Sequence, residues 1–275
     1  MKRRAVTRQR PPWMLVPPAI VGVLFLLLPT LGLLIRAPWS GLARIYSHDN
    51  AASGVDVAAA LQLSLLTSLI TAGVSLVLGV PLAWMLARTN LPGRALVRAV
   101  VTLPLVLPPV VGGLALLLTF GRNGVVGRYL NDWFGVTLSF SRTGIVLAQT
   151  FVAMPFLVVT MEAAFRAANR ELEEAAATDG ATRGQIFRHI TLPLVVPAII
   201  AGTVLCWARA LGEFGATVLF AGNVVERTQT GPTAVLTAFQ NSPEEAIALA
   251  LPLMLVAVIV LVALRERWLR AAVVS

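Results

Sequence analysis

Charge is the first thing this chain is short of. Of its 275 residues only 13% are charged and 57% are hydrophobic, against about 25% charged in soluble domains. With a mean hydropathy of +0.81, a soluble globular domain is excluded. Cysteine is almost missing: Cys206 stands alone, so there is no intrachain disulfide and no cysteine-built metal cluster. Its apolar neighbours mark it as a small packing residue. Neither His48 nor His189 falls in an apolar run, and no Asp does. That removes the paired set a membrane-embedded enzyme would need, so no catalytic residue and no metal ligand is assigned. The pattern G-x-x-x-x-G-K-[ST] is also missing, so any ATP that drives this chain is hydrolysed by another polypeptide.

What the chain has is long apolar runs. A span needs roughly 20 mostly apolar residues to cross about 30 Å of hydrocarbon. Six runs qualify, at about 13–35, 59–87, 99–120, 143–164, 193–220 and 244–264. The first follows Lys2, Arg3, Arg4, Arg8 and Arg10, as a signal peptide would. Its apolar core exceeds the roughly 7–15 residues of such a peptide, and Arg36-Ala37-Pro38 is a poor cleavage site, so it is taken as a retained span.

The formal net charge of +9 does not mark a nucleic-acid surface, because the bases sit in short segments between spans. With the N-terminus inside, fifteen Lys and Arg lie in cytoplasmic segments and six outside, with Arg209 inside the fifth span. The positive-inside bias thus puts both termini and the segment around Glu174 in the cytoplasm.

That segment, Glu174 to Pro193, is a polar island between apolar runs. Asn169 is a good N-cap for a helix starting at Arg170, with acids in its first turns complementing the dipole. Gly180 supplies a stop, and Thr182 caps a second short helix from Arg183 to Ile190. The expectation is two short helices across the membrane face, with Ala175 and Ala176 allowing close approach. Ile186 and Phe187 are expected as apolar knobs for a partner, and His189 as a surface residue.

Two spans carry breaks. In the third, Pro104, Pro108 and Pro109 with Gly112 and Gly113 disrupt regular helix bonding, which is tolerated only where protein or a water-filled cavity satisfies the backbone. A packing kink and a gate both fit. The fifth contains Arg209, Gly212, Glu213 and Gly215. A charge at a helix centre costs about 2.5–3.5 kcal/mol, so Arg209 and Glu213 need partners or water; their i,i+4 spacing puts them on one face. A structural ion pair and a translocation path both remain open. Glu213 is taken as the one acid inside a span, and an ATP-independent secondary transporter would be expected to show more. Outside, the Gly121–Phe134 segment has an amphipathic, aromatic end suited to the interface; anchoring and a docking rim both fit it.

The run Glu174-Ala175-Ala176, Gly180, Ile190, Leu192-Pro193 resembles the EAA loop of ABC importer permeases, the element that inserts into a cleft of the ATPase subunit. Together with L-P-L-V-L-P-P-V-V (103–111), G-R-N-G-V-V-G-R-Y-L-N-D-W-F-G (121–135) and A-R-A-L-G-E-F-G-A-T (208–217), the chain resembles permease subunits of molybdate importers. Sulfate permeases are near relatives, and tungstate is a further candidate. The resemblance implies an all-α, six-helix, type I ABC importer permease fold with cytoplasmic coupling helices. The transporter domain would cover residues 59–264, flanked by an N-terminal segment (1–58) and a C-terminal tail (265–275). It further implies a multi-pass protein of a prokaryotic cytoplasmic membrane. Its partners would be a second copy of this chain, a pair of ATPase subunits that use ATP and Mg, and an extracytoplasmic molybdate-binding protein. No cofactor would be bound by this chain itself. On this reading Glu174, Ala175, Ala176, Gly180, Arg183, Phe187, Ile190 and Pro193 form the coupling loop. Pro104, Pro108, Pro109, Arg209, Gly212, Glu213 and Gly215 line the path or its gate.

Overall fold

In a computed structural model, the structure describes residues 12–46 and 55–274, the last twelve as backbone alone. Every regular element among them is helical. A 3-10 turn leads into α1 (Val16–Ile35), followed by α2 (Leu42–Tyr46), α3 (Val57–Arg88), α4 (Arg94–Val106), α5 (Pro109–Phe120) and α6 (Gly127–Phe134). Then come α7 (Arg142–Ala167), α8 (Arg170–Thr178), α9 (Arg183–Ile186), a π-helical turn (Phe187–Thr191), α10 (Leu192–Leu211), α11 (Gly215–Phe220), α12 (Gly231–Asn241) and α13 (Pro243–Val274). Among the described residues five helices are long and apolar enough to cross a membrane, and the bent pair α4–α5 makes a sixth if it is one broken span.

The core lies where α3, α7 and α10 meet. Ala83 and Leu86, Ala153, Leu157, Val158, Met161 and Phe165, and Val195, Cys206 and Ala210 form one buried cluster. The buried face of α3 also carries Ser64, Thr67, Ser68, Thr71 and Ser75, while Leu65, Leu66, Leu69, Ile70, Val77 and Leu78 on its other faces are exposed. This distribution suits hydrocarbon as solvent: apolar side chains face outward, and small polar ones let helices approach and bond across. Thr71 donates to Gln149 Oε1 at 3.0 Å, Trp207 Nε1 donates to Ser68 Oγ at 3.0 Å, and the Gly231 amide donates to Ser64 Oγ at 2.6 Å. Cys206 is buried in that core.

Three expected elements are broken differently from their sequence outline. The third span is two helices bent by 119°. Leu107 and Pro108 are extended, with ψ of 131° at both, because a residue before proline is driven from the helical region. Pro109 opens α5, where a missing N–H costs nothing. The fifth span stops at Leu211 and resumes at Gly215 as α11. The second short helix of the polar island does not stand apart: Arg183–Leu211 is one 29-residue helical run. The reason is local. Pro193 lacks the N–H that His189 would bond, and a π turn absorbs the defect, with the Leu192 amide reaching the Phe187 carbonyl.

α5 and α11 pack at a distance that only glycine permits. A Cβ on Gly113 would lie 2.9 Å from Ala216 Cα, and one on Gly215 would lie 2.9 Å from Pro109 Cβ. The two broken spans therefore touch at their breaks. Gly113→Ala is expected to lower stability by about 1–3 kcal/mol through overpacking, whereas Gly22→Ala, with nothing within 4 Å, should be silent. Thermal unfolding of both variants in detergent checks this.

Candidate functional site: the polar loop and the broken spans

Helix α8 begins as its sequence dictates, with Asn169 Oδ1 accepting from the Glu171 amide at 2.9 Å. It ends in a Schellman motif: Gly180 at φ +87°, its amide on the Ala177 carbonyl, and the Ala181 amide on the Ala176 carbonyl. A left-handed residue at this position favours glycine strongly. Thr182 and Gln185 then form a reciprocal capping box that starts α9. Between the two helices lies a groove of about 390 Å³ lined by Asp179, Gly180, Ala181, Gln185, Ile186, His189 and Ile190. Glu174, Ala175 and Arg183 are exposed, Ala176 is half-buried, and His189 is exposed as expected.

Phe187 departs from expectation. It turns inward and meets Trp84 edge-on, with ring centroids 6.0 Å apart, so it is not a knob offered outward. Ile186 and Ile190 remain in the groove.

Two acids escaped the sequence reading. Glu173 counted only as a complement to the helix dipole, yet its Oε1 accepts from Arg88 at 3.1 Å and from Thr191 at 2.9 Å. Glu162 lies inside α7, where Glu213 was expected to be the one intramembrane acid. It is buried and accepts from Arg98 Nη2 at 2.5 Å and Arg166 Nη2 at 2.6 Å. The Arg166 contact was legible as an i,i+4 pair; the Arg88 and Arg98 contacts bridge distant segments and leave no local signal.

At the fifth-span break, Arg209 and Glu213 do share one face. Arg209 Nη1 lies 2.7 Å from Glu213 Oε2, an ion pair whose angle falls outside the hydrogen-bond directions. The other carboxylate oxygen accepts from the Ala216 amide at 2.9 Å. The glutamate therefore caps α11 while neutralising the arginine. Gly212 ends α10, and Gly215 admits Pro109 and Val110 of the other broken span. Pro104 lies within α4. Glu213 is 1% exposed and Arg209 28%, so the carboxylate is enclosed and the guanidinium keeps an open side.

After α5, Tyr129 and Trp133 on α6 meet at a tilt, with ring centroids 5.3 Å apart. Arg128 lies over the Tyr129 ring at 4.6 Å. Both aromatic rings are exposed, as an interfacial helix requires.

The profile of the binding-protein-dependent transport system inner membrane components matches residues 79–273. The chain belongs to that family. Among curated relatives, the molybdenum transport system permease protein of Mycobacterium tuberculosis is 41% identical over 259 residues, covering 94% of each chain. That of Escherichia coli K12 is 44% identical over 210 residues, 76% of this chain and 92% of the relative. A sulfate transport system permease protein of Synechocystis is 36% identical over 241 residues, 87% and 86% of the two chains. Among solved structures, a bacterial ABC transporter involved in alginate import matches with a TM-score of 0.67 at 24% identity, covering 92% of this chain and 93% of that one. The all-α permease architecture expected from the sequence is thereby borne out.

The Arg209–Glu213 pair makes a sharp expectation. Removing one member leaves the other enclosed and unpaired, which costs more than removing both. Arg209→Gln should therefore destabilise by roughly 2–3 kcal/mol, the buried-pair cost reduced for the open side of the guanidinium. The double variant Arg209→Gln/Glu213→Gln should recover part of this. A double-mutant cycle on thermal stability reads it; additive losses would mean the charges do not support each other.

Proposed function

We propose that this permease is the membrane subunit of a molybdate importer, working as a homodimer with two copies of a cytoplasmic ATPase and an extracytoplasmic molybdate-binding protein. The observation that carries the substrate is the similarity, along nearly the whole chain, to molybdenum-transport permeases. Sulfate or thiosulfate is the second reading, favoured by the sulfate relatives, and tungstate a third.

The site supports a division of labour. ATP and Mg stay with the ATPase, whose cleft takes the exposed edge of α8 and the groove around Gly180 and Ile190. Glu174, Ala175 and Ala176 give that edge a carboxylate and two side chains small enough for close approach. The α4–α5 and α10–α11 breaks would form the gate. Their paired position lets one displacement open both, and the open side of Arg209 supplies one positive group toward a passing dianion. With Glu213 already neutralising it, that attraction is weak, and conduction requires weak, escapable sites. Tight selection then belongs to the capture protein.

The test is radiolabelled molybdate uptake by the reconstituted complex with sulfate and tungstate as competitors. ATP-dependent molybdate uptake that excess sulfate barely inhibits is expected; sulfate competing at equal concentration would move the assignment to sulfate.

The proposal also places both termini and the Glu174–Pro193 segment in the cytoplasm, on the charge bias. A cysteine at Gly184, in a Cys206→Ala background, should be labelled by an impermeant maleimide in inside-out vesicles and not in intact cells. Labelling of intact cells would invert the topology and remove the ATPase from that face.

A further inference from the structure

Helix α8 has no buried residue. Unlike α3, α7 and α10, whose buried side chains make the core, this short helix has no apolar anchor, and its position must come from chain continuity and polar bonds. One carboxylate supplies them. Glu173 Oε1 accepts from Arg88 Nη2 at 3.1 Å and from Thr191 Oγ1 at 2.9 Å. The same Nη2 donates to the Ala168 carbonyl at the end of α7, at 3.1 Å. Arg88 is the last residue of α3 and its side chain is 7% exposed, against 22% for Glu173. One turn earlier on α3, Trp84 holds Phe187 of the π turn edge-on.

We infer that the Glu173–Arg88–Thr191 node is the mechanical tie through which displacement of the exposed helix α8 is passed to the membrane spans. The inference rests on the proposed role of the loop as the ATPase contact. The node joins α8 to the inner end of α3 and to the π turn. The π turn lies near the start of the unbroken helical run Arg183–Leu211, whose far end carries Arg209 beside the fifth-span break. A pull on α8 therefore has a bonded route to both α3 and the gate. Bonds to a carboxylate from an arginine are charge-assisted and stronger than neutral ones. Helix kinks concentrate at π-bulges, so a tie at Thr191 acts beside a place where this helix can bend. Glu173, Arg88 and Thr191 are positioning residues on this account; none touches the transported anion.

The experiment exploits the fact that Arg88 is enclosed at the end of α3 and does not present itself to the ATPase. In proteoliposomes with the ATPase and the capture protein, ATP hydrolysed per molybdate imported is measured for wild type, Glu173→Ala, Arg88→Gln and the double variant. Each single variant should raise that ratio about tenfold, within the span typical of coupling between sites, with the complex still intact on size-exclusion chromatography. The double variant should be no worse than either single one, because both break the same node. Unchanged ratios, or losses that multiply in the double variant, overturn the inference. Should Arg88→Gln fail to accumulate, Thr191→Val removes one hydroxyl from the same oxygen and should raise the ratio by a smaller amount; no rise would count against the tie. A wild type without ATP-driven uptake would instead sink the functional reading. The tie is then read on the purified permease alone, by the spin-label distance between Ala177 and Asn90 in a Cys206→Ala background. That distance should be single-valued in wild type and broad in Glu173→Ala; equal widths refute the tie.

Discussion

Hydrocarbon offers no hydrogen bonds, and the rest of this structure follows from that. Each backbone N–H and C=O inside the bilayer must find a partner within the protein, so every regular element of the described chain is a helix. The same constraint inverts the usual surface and core. Leucine, isoleucine and valine cover the outside of α3, while serine and threonine fill its buried face. Hydrophobic burial cannot drive these helices together, because lipid is as apolar as they are. Close packing of alanine and glycine with hydroxyl bonds across helices takes over that role. Hence α3, α7 and α10 form the centre, and α1, without a buried residue, contributes nothing to it.

Against that rule, the two breaks are the expensive features. In the third span Pro104, Pro108 and Pro109 deny donors to the carbonyls of Val100, Pro104 and Leu105. Val106 beside the elbow is 84% exposed in the protomer. Such backbone is not stable facing lipid, so this face must look onto water or other protein. The same reasoning makes the enclosed Glu213 intelligible. It answers a freed amide at the start of α11 and a guanidinium at the end of α10 with one side chain. Two costs created by breaking the helix are offset by one residue.

Much of this was legible because it is local. The caps Asn169 and Thr182, the turn at Gly180, the proline elbow and the 209–213 pair are each set by residues within a few positions of one another. The long apolar runs were legible in hydropathy alone and needed no tertiary information. What was lost is what tertiary structure decides. Phe187 reads as an exposed knob until Trp84 of α3 is placed beside it. Glu173 reads as a dipole partner until Arg88 arrives from 85 positions away in the chain. The continuity of α9 with α10 was missed for a different reason. Pro193 reads as a helix boundary, yet one wider turn lets the ladder pass it.

That wider turn also bears on how the ends communicate. A helix of 29 residues is about 44 Å long at 1.5 Å per residue, long enough to reach from the polar loop to the fifth-span break. A straight α-helix would transmit an axial push but resist bending. A π turn near its loop end adds a joint close to where the loop is tied, leaving the rest stiff. At the far end Gly212 interrupts the helix beside the ion pair, and Gly215 sits against Pro109. On the proposed reading, a small tilt about the joint would be enlarged along the rod and delivered where two broken helices already touch, glycine of one against the other. Bulk at Gly215 or Gly113 would force those helices apart, since a Cβ at either would lie 2.9 Å from the facing helix, so close contact between the two broken helices needs glycine at both places.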